Sequence, residues 1–223
     1  MPQYLADIKE KEFFIEKTER NFMPLDFVEY SFDGKTYSQK TYHMQLFDKL
    51  LNDRYSGKLF LKYSFTVKDL CQKIRLIFEN NNVEKVTVNG TEIQDFTVED
   101  KPSKVLSCDV AKFIHQGENQ IILQVNYYQS KSTYYALFGD GVAENLVNCI
   151  VYDTTIEPIY LCGDFGVYGN FKSGKKDYIV EGCDFYIAKQ KQSITDLIQD
   201  GFPFFRGDIT LKQDVVVENT NKF

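Results

Sequence analysis

Between Leu59 and Val67 every second position is apolar: Leu59, Leu61, Tyr63, Phe65 and Val67. This is the spacing of a strand that buries one face. Ile74, Leu76 and Phe78 repeat the alternation, and Val83 to Val88 leads into Asn89-Gly90, with Ile93 on the return. An Asn-Gly pair between two such runs predicts a tight hairpin. Val105 to Val110 reads as a further short strand, and Ala111 to His115 as one helical turn that ends at Gly117. From Asn119 to Val125 the residues Ile121, Leu123 and Val125 point to the core side. Short strands at close intervals with turn signals between them predict an antiparallel β-sandwich.

The flanks are less regular. Asp7 to Arg20 sets Phe13, Phe14 and Ile15 among alternating charges, as an extended or partly helical arm would. Phe27 to Lys40 reads as a hairpin reversing at Asp33-Gly34. Met44, Phe47 and Leu51 recur at helical spacing between His43 and Asp53, with Leu46 and Leu50 widening that face. From Tyr127 to Asn148 the pattern loosens into a long aromatic insertion with glycines, and a connection of that kind should have a job. Pro158 to Cys162 and Tyr178 to Ile187 read as strands around a lysine-glycine loop, and Thr210 to Val217 as a last strand before a polar end. The expected organisation is an arm, hairpin and short helix over 1–56, a sandwich over 57–190 carrying the 127–148 insertion, and a segment over 191–223. That last segment would close the sheet or begin a next module.

With 223 residues, 43% hydrophobic and 15% aromatic, the chain can bury a sizeable core. The net charge of -6 argues against nucleic acid and anionic membrane surfaces as partners. Lys172, Lys175 and Lys176 read as a solvated loop. No apolar run approaches the roughly 18 residues of a membrane helix, and Met1-Pro2-Gln3-Tyr4 lacks the features of a signal peptide. The chain is expected to be soluble and, by default, cytoplasmic. Of its five cysteines, Cys71, Cys108, Cys149 and Cys162 lie beside apolar runs and are expected to be buried thiols, and none forms a Cys-x-x-Cys pair with Cys183 or another.

Val88-Asn89-Gly90, Cys108-Asp109-Val110 and Gly117-Glu118-Asn119-Gln120-Ile121-Ile122-Leu123-Gln124-Val125 carry a likeness. The run from Ile74 to Asn126 resembles the galactose-binding-like jelly-roll modules of bacterial glycoside hydrolases, including rhamnosidase-like and family 2 types. Ile159 to Val167 and Gly201 to Gly207 are similar to segments that follow such modules, so the resemblance covers about half to two-thirds of the chain. It implies a mainly β jelly roll with one short helix, acting as an accessory module of a larger glycoside-hydrolase-like protein. The alternation of strands and long helices of a catalytic barrel is lacking, so the chain as it stands reads as non-catalytic.

Glycoside hydrolysis needs two carboxylates about 5–9 Å apart with split protonation. Asp140 and Glu144 in Gly-Asp-Gly-Val-Ala-Glu are the pair with the most suggestive surroundings, although a solvated loop explains them more simply. Asp164, between glycines, is expected to cap backbone N–H groups. The chain has two histidines, His43 and His115, which exclude a histidine-rich metal site and read as surface or capping residues. Carbohydrate is the ligand the rings suit best, because aromatic faces stack on sugars while amides and carboxylates take hydroxyls. Tyr127, Tyr128, Tyr134, Tyr135 and Phe138 supply rings near Asp140, Glu144, Asn145 and Asn148, and the simpler account has the rings filling the core and its rim. Phe202, Phe204 and Phe205 are expected to plug a junction, and Asn89-Gly90-Thr91 to be a turn and not a glycan acceptor. No cofactor is implied, and a structural calcium ion is left open. The competing functions are a structural or protein-interaction sandwich that packs on neighbouring domains, and an unassigned glycosidase.

Overall fold

The computed structural model of the chain describes residues 12–99, 105–173 and 180–214. The start of the charged arm, the lysines at 175 and 176, the first residues of the strand expected from 178, and everything after 214 lie outside the described residues.

The first strands are β1 (Phe13–Thr18), β2 (Asn21–Leu25), β3 (Phe27–Ser31) and β4 (Thr41–Tyr42), followed by helix α1 (His43–Asn52). Next come β5 (Gly57–Val67), β6 (Ile74–Glu79), β7 (Val83–Val88), β8 (Thr91–Ile93), β9 (Thr97–Val98) and β10 (Val105–Asp109). A 3-10 turn, Ala111–Phe113, precedes β11 (Gly117–Tyr127). Two short helices, α2 (Lys131–Phe138) and α3 (Glu144–Asn148), lead to β12 (Ile159–Gly163), β13 (Gly166–Ser173) and β14 (Val180–Ala188). β15 (Ser193–Ile194) and β16 (Ile209–Lys212) complete the set.

The chain forms the expected mainly β sandwich. β5 and β11 pair antiparallel over their whole lengths, from Gly57↔Tyr127 to Val67↔Gly117. Leu59, Leu61, Tyr63, Phe65 and Val67 bury one face of β5, and Ile121, Leu123, Val125 and Tyr127 continue it on β11. This pair is the middle of an eight-stranded sheet in the order β13-β14-β5-β11-β7-β8, with β3 also on β5 and β4 on β3. The facing sheet runs β2-β12-β6-β10-β9 and contributes Met23, Leu161, Leu76 and Cys108 to the same core cluster. Each buried Leu or Ile side chain contributes about 1.5–3 kcal/mol relative to exposure, so period two along these strands is the main determinant of the fold. A third, smaller sheet joins the ends of the described chain as β15-β1-β16.

The Asn89-Gly90 hairpin forms as expected, with positive φ at both residues (50° and 82°). The side chain of Asn89 is consumed there. Its Nδ2 donates to Phe113 O and Asn119 Oδ1 at 2.8 Å, and its Oδ1 accepts from Gln120 N at 2.9 Å. Buried Asn119 completes the node, donating to His115 O and Gly117 O and accepting from His115 N.

Several expectations change in detail. The Asp33-Gly34 reversal is a broad loop between β3 and β4, in which Asp33 Oδ1 accepts from Thr36 N, Lys35 N and Ser31 Oγ. Those donors hold its carboxyl down at about 2. Helix α1 buries His43, Leu46, Leu50 and Leu51, whereas Met44 is exposed. At about 100° per residue Met44 lies roughly opposite Leu46, so docking Leu46 and Leu50 turns it outward. Phe13 and Phe14 belong to a strand and not a helix, because β15 and β16 pair on either side of them. The stretch expected as a lysine-glycine loop contains β13, whose Gly-Val-Tyr-Gly-Asn-Phe sequence lacks alternation and is held extended by pairing with β14. The last strand pairs with β1 and does not join either large sheet.

Asp200 gathers the tail segment onto itself. Its Oδ2 accepts from Thr195 N, Asp196 N and Thr195 Oγ1, and Lys191 Nζ reaches Oδ1. Burial alone would raise this carboxyl, but the lysine and the N–H and O–H donors together hold it well below the usual carboxylate range. Asn21 Nδ2 adds donations to Phe165 O and Gly201 O. Phe202 is buried with Phe205 edge-on to it at 5.6 Å, and Phe204 meets Phe185 at 5.0 Å.

Two outcomes follow. Asp200→Asn is expected to lower unfolding free energy by about 2 kcal/mol at neutral pH in denaturant melts. Because the folded value is depressed, this stabilisation is complete above the unfolded carboxylate pKa of about 3.9 and shrinks as pH falls below it. A variant gap that stays constant down through acid would contradict the assignment. Asn119→Ala is expected to cost about 1–3 kcal/mol, since it strands buried main-chain partners of the hairpin node.

Candidate functional site

The long insertion, expected to be irregular, folds into two short helices. Ser130 caps α2, accepting from Thr133 N, and its own N–H donates to Asp153 Oδ2 at 2.9 Å. Thr133 Oγ1 also donates to Asp153, and the donated bonds, led by that of Ser130 N–H, lower the Asp153 carboxyl. Gln129 clamps the base, accepting from Asp153 N and donating to Thr154 O and the Tyr127 hydroxyl. These bonds close the start of the insertion onto its end, so both helices stand on the end of β11.

The structure divides the sequence-nominated rings. Tyr127 is fully buried, and burial pushes its phenol up to about 12. It stacks beside Tyr55 at 6.2 Å and has no face open to a ligand. Tyr134 is partly buried, donates to Tyr55 O at 3.4 Å and stacks with Phe138 at 6.4 Å. Tyr135 and Phe138 are exposed. Asp140, Glu144, Asn145 and Asn148 are all exposed, on the connecting turn and α3.

Arg54 was not visible as a site residue in the sequence. It sits at φ 49° just after α1, and its guanidinium lies 5.9 Å from the Tyr134 ring centroid and 5.5 Å from that of Phe138. Such a contact is worth about 0.5–1 kcal/mol at an exposed site, and it links the α1–β5 turn to α2. No signal of spacing announces it, because the contact joins segments some eighty residues apart.

Beyond the rings the insertion carries the exposed apolar side chains Leu146 and Val147, and Val151 just after it is 83% exposed. Cys149 is exposed among them, against the expectation of a buried thiol, because its apolar neighbours face outward and not into the sandwich. Cys108 and Cys162 are buried as expected, with burial pushing the Cys108 thiol up to about 12, and Cys71 is half-buried.

The remaining candidates fall apart from this face. Asp164 does not cap a turn: its exposed carboxylate pairs with Lys73 at 3.3 Å. His43 is buried, with Nδ1 3.2 Å from Asp26 O, so it belongs to the helix start and not to the surface. His115 is exposed, with Nδ1 3.0 Å from Gln116 O. Among the described residues no group of three or more His, Cys, Asp or Glu side chains is placed to hold a metal ion, and no helix is long and apolar enough to cross a membrane.

No family model matches the chain. No curated protein matches it either. Among solved structures it is similar to the β-D-glucuronidase of Dictyoglomus thermophilum, at 16% identity and TM-score 0.44 over 70% of this chain and 31% of that one. It is also similar to the β-glucuronidase of Ruminococcus gnavus, at 13% identity and TM-score 0.43 over 72% of this chain and 32% of that one. The chain thus spans about a third of the length of these enzymes.

The thiols give a direct check on the insertion's outward face. Brief alkylation of the native protein followed by peptide mass spectrometry is expected to modify Cys149 fully while Cys108 and Cys162 stay protected until denaturant is added. Protection of Cys149 in the native monomer would show that its surroundings are packed.

Proposed function

We propose that the chain is a non-catalytic accessory β-sandwich module of a glycoside-hydrolase-like protein, and that it docks on the catalytic domain through the α2–α3 insertion. The observation that carries this reading is that Tyr135, Phe138, Leu146 and Val147 of the insertion, and Val151 just after it, are exposed on a segment whose start is hydrogen-bonded to Asp153. Large apolar side chains left exposed on neighbouring elements are the kind of surface that another protein covers. The sequence resemblance to jelly-roll modules supplies the class of the parent. The two carboxylates nominated for hydrolysis speak against catalysis, since both are exposed and a general acid needs an environment that keeps it protonated.

A second reading, carbohydrate binding by the insertion, draws on the exposed Tyr135 and on the Arg54 guanidinium over Tyr134 and Phe138. One experiment separates the two. A photo-crosslinker is attached at Cys149 in a Cys71→Ser, Cys183→Ser background, within the parent polypeptide or in an extract of its source cells. The docking reading expects crosslinks to peptides of a glycoside-hydrolase catalytic domain, reduced about tenfold by Leu146→Asp with Val147→Asp. Absence of those crosslinks, together with glycan-array binding that disappears in Tyr135→Ala with Phe138→Ala, would replace docking by the sugar reading.

A further inference from the structure

One edge of β5 is shared by two strands that arrive from opposite directions. β3 pairs antiparallel with Phe60, Leu61 and Lys62, and β14 pairs parallel with Thr66 and Val67. Ser64 falls between them, outside both registers. Its main chain does not turn toward β11 either. Gln120, the residue opposite Ser64 on β11, gives its C=O to Asn89 N on the far side, so this pair is one of those that exchange no hydrogen bonds. Lys68 N, four positions on, donates to Ile187 O on the β14 side. The N–H and C=O of Ser64 therefore face the gap.

A second open edge faces the same gap. β13 covers one side of β14 from Val180 to Ala188, but β5 meets the other side only at Tyr186 and Ile187. Among the described residues no strand pairs with 180–184 on that side, which leaves about 17 Å of strand edge open. The cause is a bulge. Tyr168 opposes Tyr186 and Asn170 opposes Cys183, so Asp184 and Phe185 together face the single residue Gly169. With Asp184 at φ 54°, the bulge bends β14 away from β5 before the two strands meet at Tyr186.

Between the two edges lies a groove of about 740 Å³ whose floor is Met23, Leu25 and Phe65, all buried. Gly182, Asp184 and Phe185 line its β14 wall, and Phe27 stands at the mouth, 55% exposed. The polar side chains of the rim are engaged with one another. Glu118 accepts from Thr66 Oγ1 at 2.6 Å, Asp184 accepts from Asn170 at 2.9 Å, and Lys68 Nζ lies 3.4 Å from the Tyr186 ring centroid. The groove leaves a ligand main-chain groups on two sides and apolar side chains beneath.

From this geometry we infer that the groove is a docking site for an extended segment of another polypeptide, which adds as a short strand along the open edge of β14. A chain that repeats N–H and C=O groups at strand spacing satisfies the edge at 180–184 and reaches Ser64 at its end. Side chains of an extended segment alternate, so every second one drops toward Met23, Leu25 and Phe65 and should be Val, Ile, Leu or Phe. β3 on Lys62 stops the added strand beyond Ser64, which limits the segment to the length of the β14 edge. Open strand edges are ordinarily covered or blunted. Here the bulge, a costly feature with a non-glycine residue at positive φ, holds the edge open.

This surface is separate from the α2–α3 insertion, and the test keeps the two apart. A phage-displayed library of random octapeptides is panned against the whole chain, and the enriched peptides are synthesised for isothermal titration. Enrichment of apolar residues at alternate positions is expected, with binding weakened about tenfold or more when peptide nitrogens of one parity are methylated, since that removes the donors to β14. Ser64→Pro, which deletes the N–H at the end of the gap and none of the bonds to β11, should weaken binding several-fold. Tyr135→Ala with Phe138→Ala should leave it unchanged. The methylated peptides need no altered protein, so they decide the question even where proline at 64 impairs folding. No enrichment, binding that survives methylation of either parity, or loss only in the insertion variant overturns the assignment. So does a dimer in sedimentation that disappears in Ser64→Pro, which would give the edge to a second copy of the chain.

Discussion

The arrangement of the molecule depends on one pairing, that of β5 with β11. Eleven residues of each run in uninterrupted register, and the inner face of the pair supplies the deepest side chains of the core. Since β11 fills one edge of β5 completely, everything else that joins the larger sheet on that side must share the other edge. β3 takes its first half and β14 its second, and neither covers the middle. The sandwich is therefore continuous where β5 meets β11 and open where β5 meets its other neighbours. The groove over Met23, Leu25 and Phe65 is the consequence of that single constraint.

Polar nodes decide how the ends of the sandwich are finished. Asn119 and Asn89 exchange their amides to lock the β7–β8 hairpin against the turn before β11. Asn21 joins the turn before β13 to the tail through Phe165 O and Gly201 O, and Asp200 satisfies the tail's own N–H groups at Thr195 and Asp196. Each node satisfies main-chain groups that would otherwise be buried without partners, and that is the condition under which short polar residues are tolerated inside. The insertion obeys the same rule through Gln129 and Asp153, which is why its helices can hold apolar side chains outward without collapsing onto the sheet.

The insertion and the groove differ in kind. The insertion carries exposed Leu, Val, Tyr and Phe side chains together with the exposed carboxylates Asp140 and Glu144. The groove is concave, apolar at its base and polar at its rim. Surfaces of the first kind meet the folded faces of other proteins, and those of the second enclose small molecules or single extended segments.

How much of this was legible in the residues follows from the range of each interaction. Period two along Leu59 to Val67, Ile74 to Phe78 and Asn119 to Val125 states which faces are buried, and Asn89-Gly90 states where the chain reverses, because alternation and positive φ are local properties. The sandwich class and most of its core were determined in this way. Extending the period of β11 by one step turns Tyr127 inward, but local patterning did not reveal that Tyr135 points out, since the helical register of α2 begins only where Ser130 and Asp153 cap it. Nor did it reveal that Cys149 is exposed, that Arg54 lies over Tyr134 and Phe138, or that Gly166 to Ser173 is a strand. The groove is the extreme case, assembled from residues as distant as Met23 and Tyr186 around the one stretch of β5 that no strand covers. Local chemistry determined the elements and their buried faces, whereas the sharing of β5's second edge, a competition between chain segments far apart in sequence, was decided only by the tertiary structure.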